Sequence, residues 1–384
     1  MRTLWEFFCG GGLARLGLGP DWTCQFANDR DAAKARAYIE NFSADHFNGA
    51  DVATLTLGDL PSGRPDLVWA SSPCKDVSSA GPRIGLNGKR SGAFWPWWSL
   101  MRQLIDAGRG PRVFVFENVD TLLTSNKGAD IAAIYRAIGE AGYRHRHFVI
   151  DACHFVPQSR KRVFIVAAPK GQTIPDLAPM PRRNMALADL MDFEAPCDPA
   201  PKTARLVELM APLHKARLET AKASGRRTVL IGCRRTRRPQ RFEVRDDGLA
   251  GALRTAAGGS STQSVILVDG ASVRSRKLRK REAARLMGLP ETYRLPESAT
   301  HANNLTGDGV VVPVVTFLAA YVIEPLLGYA TAAMASKPCG ASEDRSRRPQ
   351  RPDHRHRKRT APRRASRPPQ TAKNAGRGVG RIAK

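Results

Sequence analysis

The chain has 384 residues, 42% of them hydrophobic, enough for one large core or for a core plus a smaller second domain. Its 61 Lys and Arg against 35 acids leave a formal charge of +26, which is silent about fold and points to a polyanionic partner. Residues 336–384 carry 16 Lys/Arg and 3 acids, so about half of the excess sits in that tail. The 7 cysteines are irregularly spaced with no Cys-x-x-Cys pair, which argues against a zinc cluster and a disulfide framework. Met1 to Glu6 lacks the basic and apolar regions of a signal peptide. The apolar run at 310–323 contains Pro313, stops at Glu324 and is too short to span a bilayer. A cytoplasmic chain with reduced thiols is expected.

Residues 3–8 read as a strand, Cys9-Gly10-Gly11-Gly12 as the turn after it, and residues 13–18 have helical apolar spacing. Strand, glycine turn and helix open a nucleotide-binding α/β fold. Glycine lets the backbone approach a ligand, and the helix start points N–H groups at it. A lone glycine turn also fits simple turn chemistry. Residues 23–27 form a second strand, ending in Asn28-Asp29-Arg30-Asp31 before a helix over 32–41. An acid at that place can hydrogen-bond ribose hydroxyls, yet Asp is equally at home as a helix cap. Asp29 as ligand and Asp31 as cap would satisfy both. A short strand near Phe47 leads to Asp51, another carboxylate at a strand end.

The apolar run 66–71 delivers the chain to Pro73-Cys74, and a loop rich in Gly, Ser, Lys and Arg follows at 75–92. A strand ending in Cys is how an α/β enzyme presents a nucleophile at the carboxyl edge of its sheet. By itself Cys74 is as readily an inert buried thiol. Residues 92–107 look helical, with an aromatic patch suited to a core. Residues 112–116 make a fifth strand that runs into Glu117-Asn118, and a helix at 129–141 follows. Residues 145–151 and 162–168 then pair as an antiparallel hairpin around Val156-Pro157-Gln158-Ser159-Arg160-Lys161. Strands alternating with helices, with polar residues at the strand ends, give a mostly parallel sheet with a ligand crevice along one edge.

Past Pro169 the texture changes. Prolines are frequent to Pro212, basic pairs occur at Arg226-Arg227 and Arg234-Arg235, and β-prone pieces sit at 228–231, 240–244 and 264–268. A smaller strand-and-loop domain with a basic face is expected. Helices at 278–287 and 310–326 return to the first domain, and the Arg/Pro/Ser/Ala-rich residues from 336 onward read as disordered.

Taken together, and in order, these segments resemble the DNA (cytosine-C5) methyltransferase family. Phe8-Cys9-Gly10-Gly11-Gly12 is similar to its Phe-x-Gly-x-Gly cofactor loop. Pro73-Cys74 with Ser78 and Ala80-Gly81 is similar to its nucleophile loop, and Arg90-Ser91-Gly92 to the end of that loop. Glu117-Asn118-Val119 matches its Glu-Asn-Val tripeptide and Gln158-Ser159-Arg160-Lys161-Arg162 its Gln-x-Arg-x-Arg segment. Arg281 to Pro290 and Gly307 to Pro313 resemble its last two blocks. The match covers about residues 1–168 and 272–327. Three positions depart from the pattern: Lys75 replaces a usual Gln, Asp308 a usual Asn, and Arg30 an apolar flank of the adenine.

The resemblance implies a Rossmann-like α/β fold of the S-adenosylmethionine-dependent methyltransferase type. Its parts would be a catalytic domain at 1–170, a target-recognition domain at 171–271, a return segment at 272–330 and a disordered basic tail at 331–384. Phe8, Gly10, Gly12, Asp29, Asp51 and Pro73 would bind S-adenosylmethionine. Cys74 would add to C6 of a flipped-out cytosine, favoured as thiolate by Arg160 and Lys75. Glu117 would serve N3 and the exocyclic amine, and Arg162 with Arg160 the O2 side. Loop 75–92 would close over the base. The implied partner is duplex DNA, with a restriction endonuclease as a further candidate; the chain would be nucleoid-associated, monomeric and free of membrane or metal. Two alternatives stand beside this: a transfer-RNA cytosine methyltransferase, favoured less by the basic middle region, and a DNA-binding regulator that keeps the fold without turnover. A nicotinamide dehydrogenase would explain the glycine turn and nothing after it.

Removing residues 336–384 is expected to lower DNA affinity at low salt and leave the methylated sequence unchanged, because a polybasic tail contributes counterion release rather than base contacts. Salt-titrated binding together with bisulfite sequencing checks both halves, and an altered methylation pattern would count against it.

Overall fold

The computed structural model describes residues 1–73, 92–235, 239–255 and 262–329. Cys74, the loop at 75–91 and the tail from 330 lie outside the described residues.

The larger of two sheets has seven strands in the order β3-β2-β1-β4-β5-β7-β6. These are β1 (Arg2–Phe7), β2 (Trp22–Asn28), β3 (Phe47–Asn48), β4 (Leu67–Ser71), β5 (Val113–Val119), β6 (Tyr143–Asp151) and β7 (Lys161–Pro169). The first five in that order run parallel, and β7 then pairs antiparallel with both β5 and β6. From β1 the chain winds outward through β2 and β3, then restarts on the other side with β4 and β5. The order therefore reverses between β1 and β4, and ligands of open α/β sheets bind at that reversal.

Period-two alternation makes both faces of this sheet apolar. Leu4 faces Leu13 and Leu18 of α1 (Leu13–Leu18) and Val314 and Val315 of α9 (Val312–Leu318). Trp5 and Phe7 face the opposite side, with Phe94, Trp97 and Leu104 of α3 (Phe94–Asp106) and Ile131 and Ile134 of α4 (Ala129–Glu140). The aromatic patch is thus core. Asp31 caps α2 (Ala32–Asn41), accepting from the N–H groups of Ala33 and Lys34.

The second sheet is antiparallel, in the order β11-β10-β8-β9: β8 (Thr228–Arg235), β9 (Arg241–Arg245), β10 (Ser264–Asp269) and β11 (Ser272–Lys277). Val229, Ile231, Val265 and Leu267 join the main core. Leu230, Phe242, Val244, Ile266 and Val268 instead pack under Leu218 and Ala221 of α6 (Pro212–Ala223), beside α5 (Ala200–Glu208).

Several elements differ from expectation. The small sheet extends through β11 to Lys277, past the boundary expected at 271, because the polar strand Ser272–Lys277 pairs along its length with β10. Helices α5 and α6 occupy the proline-rich region, with Pro201 and Pro212 in first turns where no N–H donor is required. An unforeseen helix, α8 (Ala299–Asp308), follows α7 (Lys280–Leu286). The stretch Ala299–Leu326 is long and apolar enough by composition to cross a membrane, but it breaks between α8 and α9 and half of it is buried. On α9, Thr316 Oγ1 donates to the Gly17 carbonyl of α1 at 2.7 Å.

The small sheet is tied to α7 by a bidentate pair, Arg276 with Glu282, both almost fully buried. Glu282 also accepts the N–H groups of Asp192 and Arg279. Removing one partner of a buried pair strands the other charge, so Arg276→Met is expected to cost about 3–5 kcal/mol. Urea unfolding monitored by circular dichroism measures that loss.

Candidate active site

At the reversal between β1 and β4 lies a cavity of about 380 Å³. One half is lined by the ends of β1, β2 and the segment after β3; the other by the ends of β4 and β5 and the start of β7.

In the first half, the turn after β1 is bent at three alternate residues with left-handed backbone. Phe8 takes a left-handed backbone (φ 54), unusual for a bulky residue and of the kind held where a site requires it. Gly10 (φ 57) and Gly12 (φ 74) follow, and a Cβ at Gly12 would fall 2.3 Å from the Phe42 ring. Asp29 fastens this turn, accepting from the Gly10 N–H through one oxygen and the Asp31 N–H through the other, both at 2.9 Å. Burial pushes its carboxyl above the usual aspartate range, against the pull of Lys34 and the two N–H groups. Each oxygen still has a lone pair for a ligand hydroxyl. Asp51 accepts from Ala53 N–H at 3.1 Å, so it does cap a turn, and its other oxygen pairs with Arg30. The Ala53 N–H, aided by Arg30 and opposed by partial burial, holds Asp51 below the ordinary range.

Two of the three departures from the family pattern are therefore paired. Arg30 meets Asp51, and Asp308 meets Lys34 at 2.7 Å, joining α2 to α8 across the cavity. Burial works against the charge on Lys34, but Asp308 and Asp29 outweigh it and its pKa rises. Glu6 is a wall residue not anticipated from the sequence. It is 1% exposed, and its Oε2 has no hydrogen-bond partner among the described residues. The signal available was a single acid inside the apolar strand Leu4-Trp5-Glu6-Phe7.

In the second half, β4 and β5 are in register with Ser71 opposite Glu117, and β5 and β7 with Val119 opposite Arg162. That pairing brings Arg162 Nε to 3.2 Å from Glu117 Oε1, with Glu117 5% exposed. Burial raises the Glu117 carboxyl above its usual range, while Arg162, Arg160 and the Ser71 hydroxyl pull it down. Asn118 donates to the carbonyl and hydroxyl oxygens of Ser72 at 3.2 and 3.3 Å, fixing the chain just before Pro73. Pro73 lines the cavity, and Cys74 follows it outside the described residues.

Arg160 is not where a base-contacting side chain was expected. Its guanidinium turns inward, 2% exposed, and donates to three backbone carbonyls, those of Leu253, Gly307 and Gly309. It does not line the cavity, whereas Arg162 does.

A family model for C-5 cytosine-specific DNA methylases matches residues 2–324. The chain belongs to that family. As such it is a DNA cytosine-5-methyltransferase, and family membership implies use of S-adenosylmethionine. Among curated relatives, the type II methyltransferase M.Bsp6I of Bacillus sp. (strain RFL6) is 27% identical over 82% of this chain and 97% of its own length. M.NlaX of Neisseria lactamica is 26% identical over 83% and 95%. Among solved structures, the S. pombe Dnmt2 methyltransferase superposes with a TM-score of 0.59 at 18% identity, covering 85% of this chain and 99% of its own. The Entamoeba histolytica methyltransferase EhMeth gives 0.63 at 14%, covering 85% and 99%. These likenesses support the fold: an α/β methyltransferase with a large, mostly parallel sheet and a small antiparallel one. The cavity suits the cofactor's chemistry, offering strand-end carboxylates for hydroxyls and amines, a glycine turn for close approach, and an unpartnered Glu6 oxygen.

Burial moves the Glu6 carboxyl from 4.5 to about 8, with Arg15 opposing. Between those values the folded chain holds a proton that the unfolded chain has lost, so stability falls as pH rises through the window. Glu6→Gln is expected to flatten that decline, stabilising the protein at about pH 8 relative to the parent and changing little at about pH 4. Melting temperatures across pH, without cofactor, measure it.

Proposed function

We propose that the protein transfers a methyl group to C5 of a cytosine flipped out of a specific duplex sequence, through a transient bond between Cys74 Sγ and C6. The observation that carries this reading is the Glu117–Arg162 pair. A buried carboxyl with raised proton affinity lies beside a guanidinium, in the same cavity as the acids at the ends of β2 and β3. C5 of cytosine is a poor nucleophile. As thiolate, Cys74 adds to C6, and the electron pair displaced from the C5–C6 double bond makes C5 nucleophilic. Protonated Glu117 donates to N3 and offsets the charge gathering on the ring; Arg162 donates to O2. S-adenosylmethionine supplies the methyl group as an electrophile. The C5 proton then passes to water, its electron pair returns to the C5–C6 bond, Cys74 leaves as thiolate, and Glu117 takes back the proton shared with N3.

On the cofactor side, Asp29 would take the ribose hydroxyls and Asp51 the adenine amine, with Phe8 against the purine, Pro73 beside it, and Gly10 and Gly12 admitting the methionine portion. Asn118 positions the nucleophile through Ser72 rather than touching substrate. A base stacked in a duplex cannot present its ring to buried groups such as Glu117, which is the physical ground for flipping. The small sheet with α5 and α6 would form the target-recognition domain, its arginines on phosphates and guanine edges. The relatives are named type II methyltransferases, which supports a nucleoid-associated chain with a restriction endonuclease as a candidate partner. Separately, the chain would act as a monomer.

Bisulfite sequencing of plasmid DNA from expressing cells is expected to reveal 5-methylcytosine in one sequence context, and none when Cys74→Ser replaces the parent. Gel-shift affinity should survive that substitution. A serine variant with normal turnover, or methyl transfer to transfer RNA but not to duplex DNA, would overturn the proposal.

A further inference from the structure

The inward-turned Arg160 joins three parts of the chain. One part is the arm at 250–255 that leads out of the small domain. Ala250 exchanges backbone hydrogen bonds with the loop before β7, its N–H to the Pro157 carbonyl at 2.8 Å and its carbonyl from the Ser159 N–H at 2.9 Å. The Leu253 N–H donates to Gln158 Oε1 at 3.0 Å, and Gln158 Nε2 donates to the Leu286 carbonyl at 2.8 Å. Gln263, at the foot of β10, holds Gly251 by both its N–H and its carbonyl. Arg160 Nη1 then donates to the Leu253 carbonyl at 2.9 Å.

Its Nη2 donates to the carbonyls of Gly307 and Gly309, at 2.8 and 2.7 Å. These glycines line the cofactor side of the cavity and flank Asp308, the partner of Lys34. The arm lies directly on this wall: a Cβ at Gly307 would stand 2.4 Å from the Arg254 carbonyl carbon and 2.5 Å from the Thr255 nitrogen. The fork sets two nitrogens apart, Nη1 on the arm and Nη2 on the wall, a spacing that the single nitrogen of an ammonium does not reproduce.

We propose that Arg160 is a positioning residue that fastens the small-domain arm to the wall of the cofactor cavity, so that duplex and cofactor are bound with linked affinity. This rests on the cavity taking an adenosyl ligand and the small domain taking DNA, as argued above. A ligand that orders the shared wall relieves the next of that cost, and the effect is reciprocal.

The test is calorimetric titration of S-adenosylhomocysteine into the full chain, alone and with a duplex bearing the methylated sequence, for the parent, Arg160→Lys and Gly307→Ala. In the parent, duplex should tighten S-adenosylhomocysteine by about fivefold or more. Both variants should bring that ratio toward one and raise both KM values more than they lower kcat. Gly307→Ala keeps Arg160 and disturbs the same contact from the opposite side, so agreement between the variants separates coupling from loss of a charge. A ratio of one in the parent, or the parent's ratio in Arg160→Lys, overturns the proposal. A fall confined to kcat overturns it too, and assigns Arg160 to the chemistry. No binding of S-adenosylhomocysteine to the parent would instead strike the reading of the cavity, and this proposal with it.

Discussion

The site depends on holding one carboxyl out of water beside a guanidinium while its proton affinity stays above that of a free carboxylate. Desolvation and the neighbouring cations act on Glu117 in opposite directions, and desolvation prevails. The geometry behind this contact is a change of strand direction. In a wholly parallel sheet the strand next to β5 would bring its own carboxyl end alongside. Because β7 runs antiparallel, its first residues sit there instead, and Arg162 arrives opposite Val119. The β6–β7 hairpin is thus the device that carries a cation from a distant part of the chain to a strand-end acid.

The parallel strands and their first helices were legible in the sequence because each is a short apolar run bounded by Gly, Asp or Pro. The helix at 13–18 and the capped helix at 32–41 fall where periodicity and Asp31 put them. Less legible was the region after Pro169, where proline density suggested loops. Pro201 and Pro212 occupy first turns, the one place in a helix where proline costs little, and composition cannot separate that from a turn. Strand β11 escaped notice because four of its six residues are Ser or Arg, and only its pairing with β10 makes it a strand.

The residues of the site were legible by type more than by orientation. Asp29, Asp51, Glu117 and Arg162 all reach the one cavity. Arg160 looked equivalent to Arg162 two positions away, yet only Arg162 lines the cavity. Its different task follows from three carbonyls contributed by residues more than ninety positions distant, which no local pattern encodes. The same holds for the unusual residues at the rim. Arg30 and Asp308 look like losses when each is compared with the family pattern alone, yet each faces an opposite charge, Asp51 and Lys34. The Arg30–Asp51 pair is exposed and adds at most ~1 kcal/mol to stability, so its effect is on the electrostatic character of the entrance rather than on the fold.

The small sheet is apolar on both of its faces. Swinging it away from the main core would bring Val229, Ile231, Val265 and Leu267 into water, at roughly 1.5–3 kcal/mol for each side chain. Parting the small sheet from that core is therefore opposed by the same burial that holds it there.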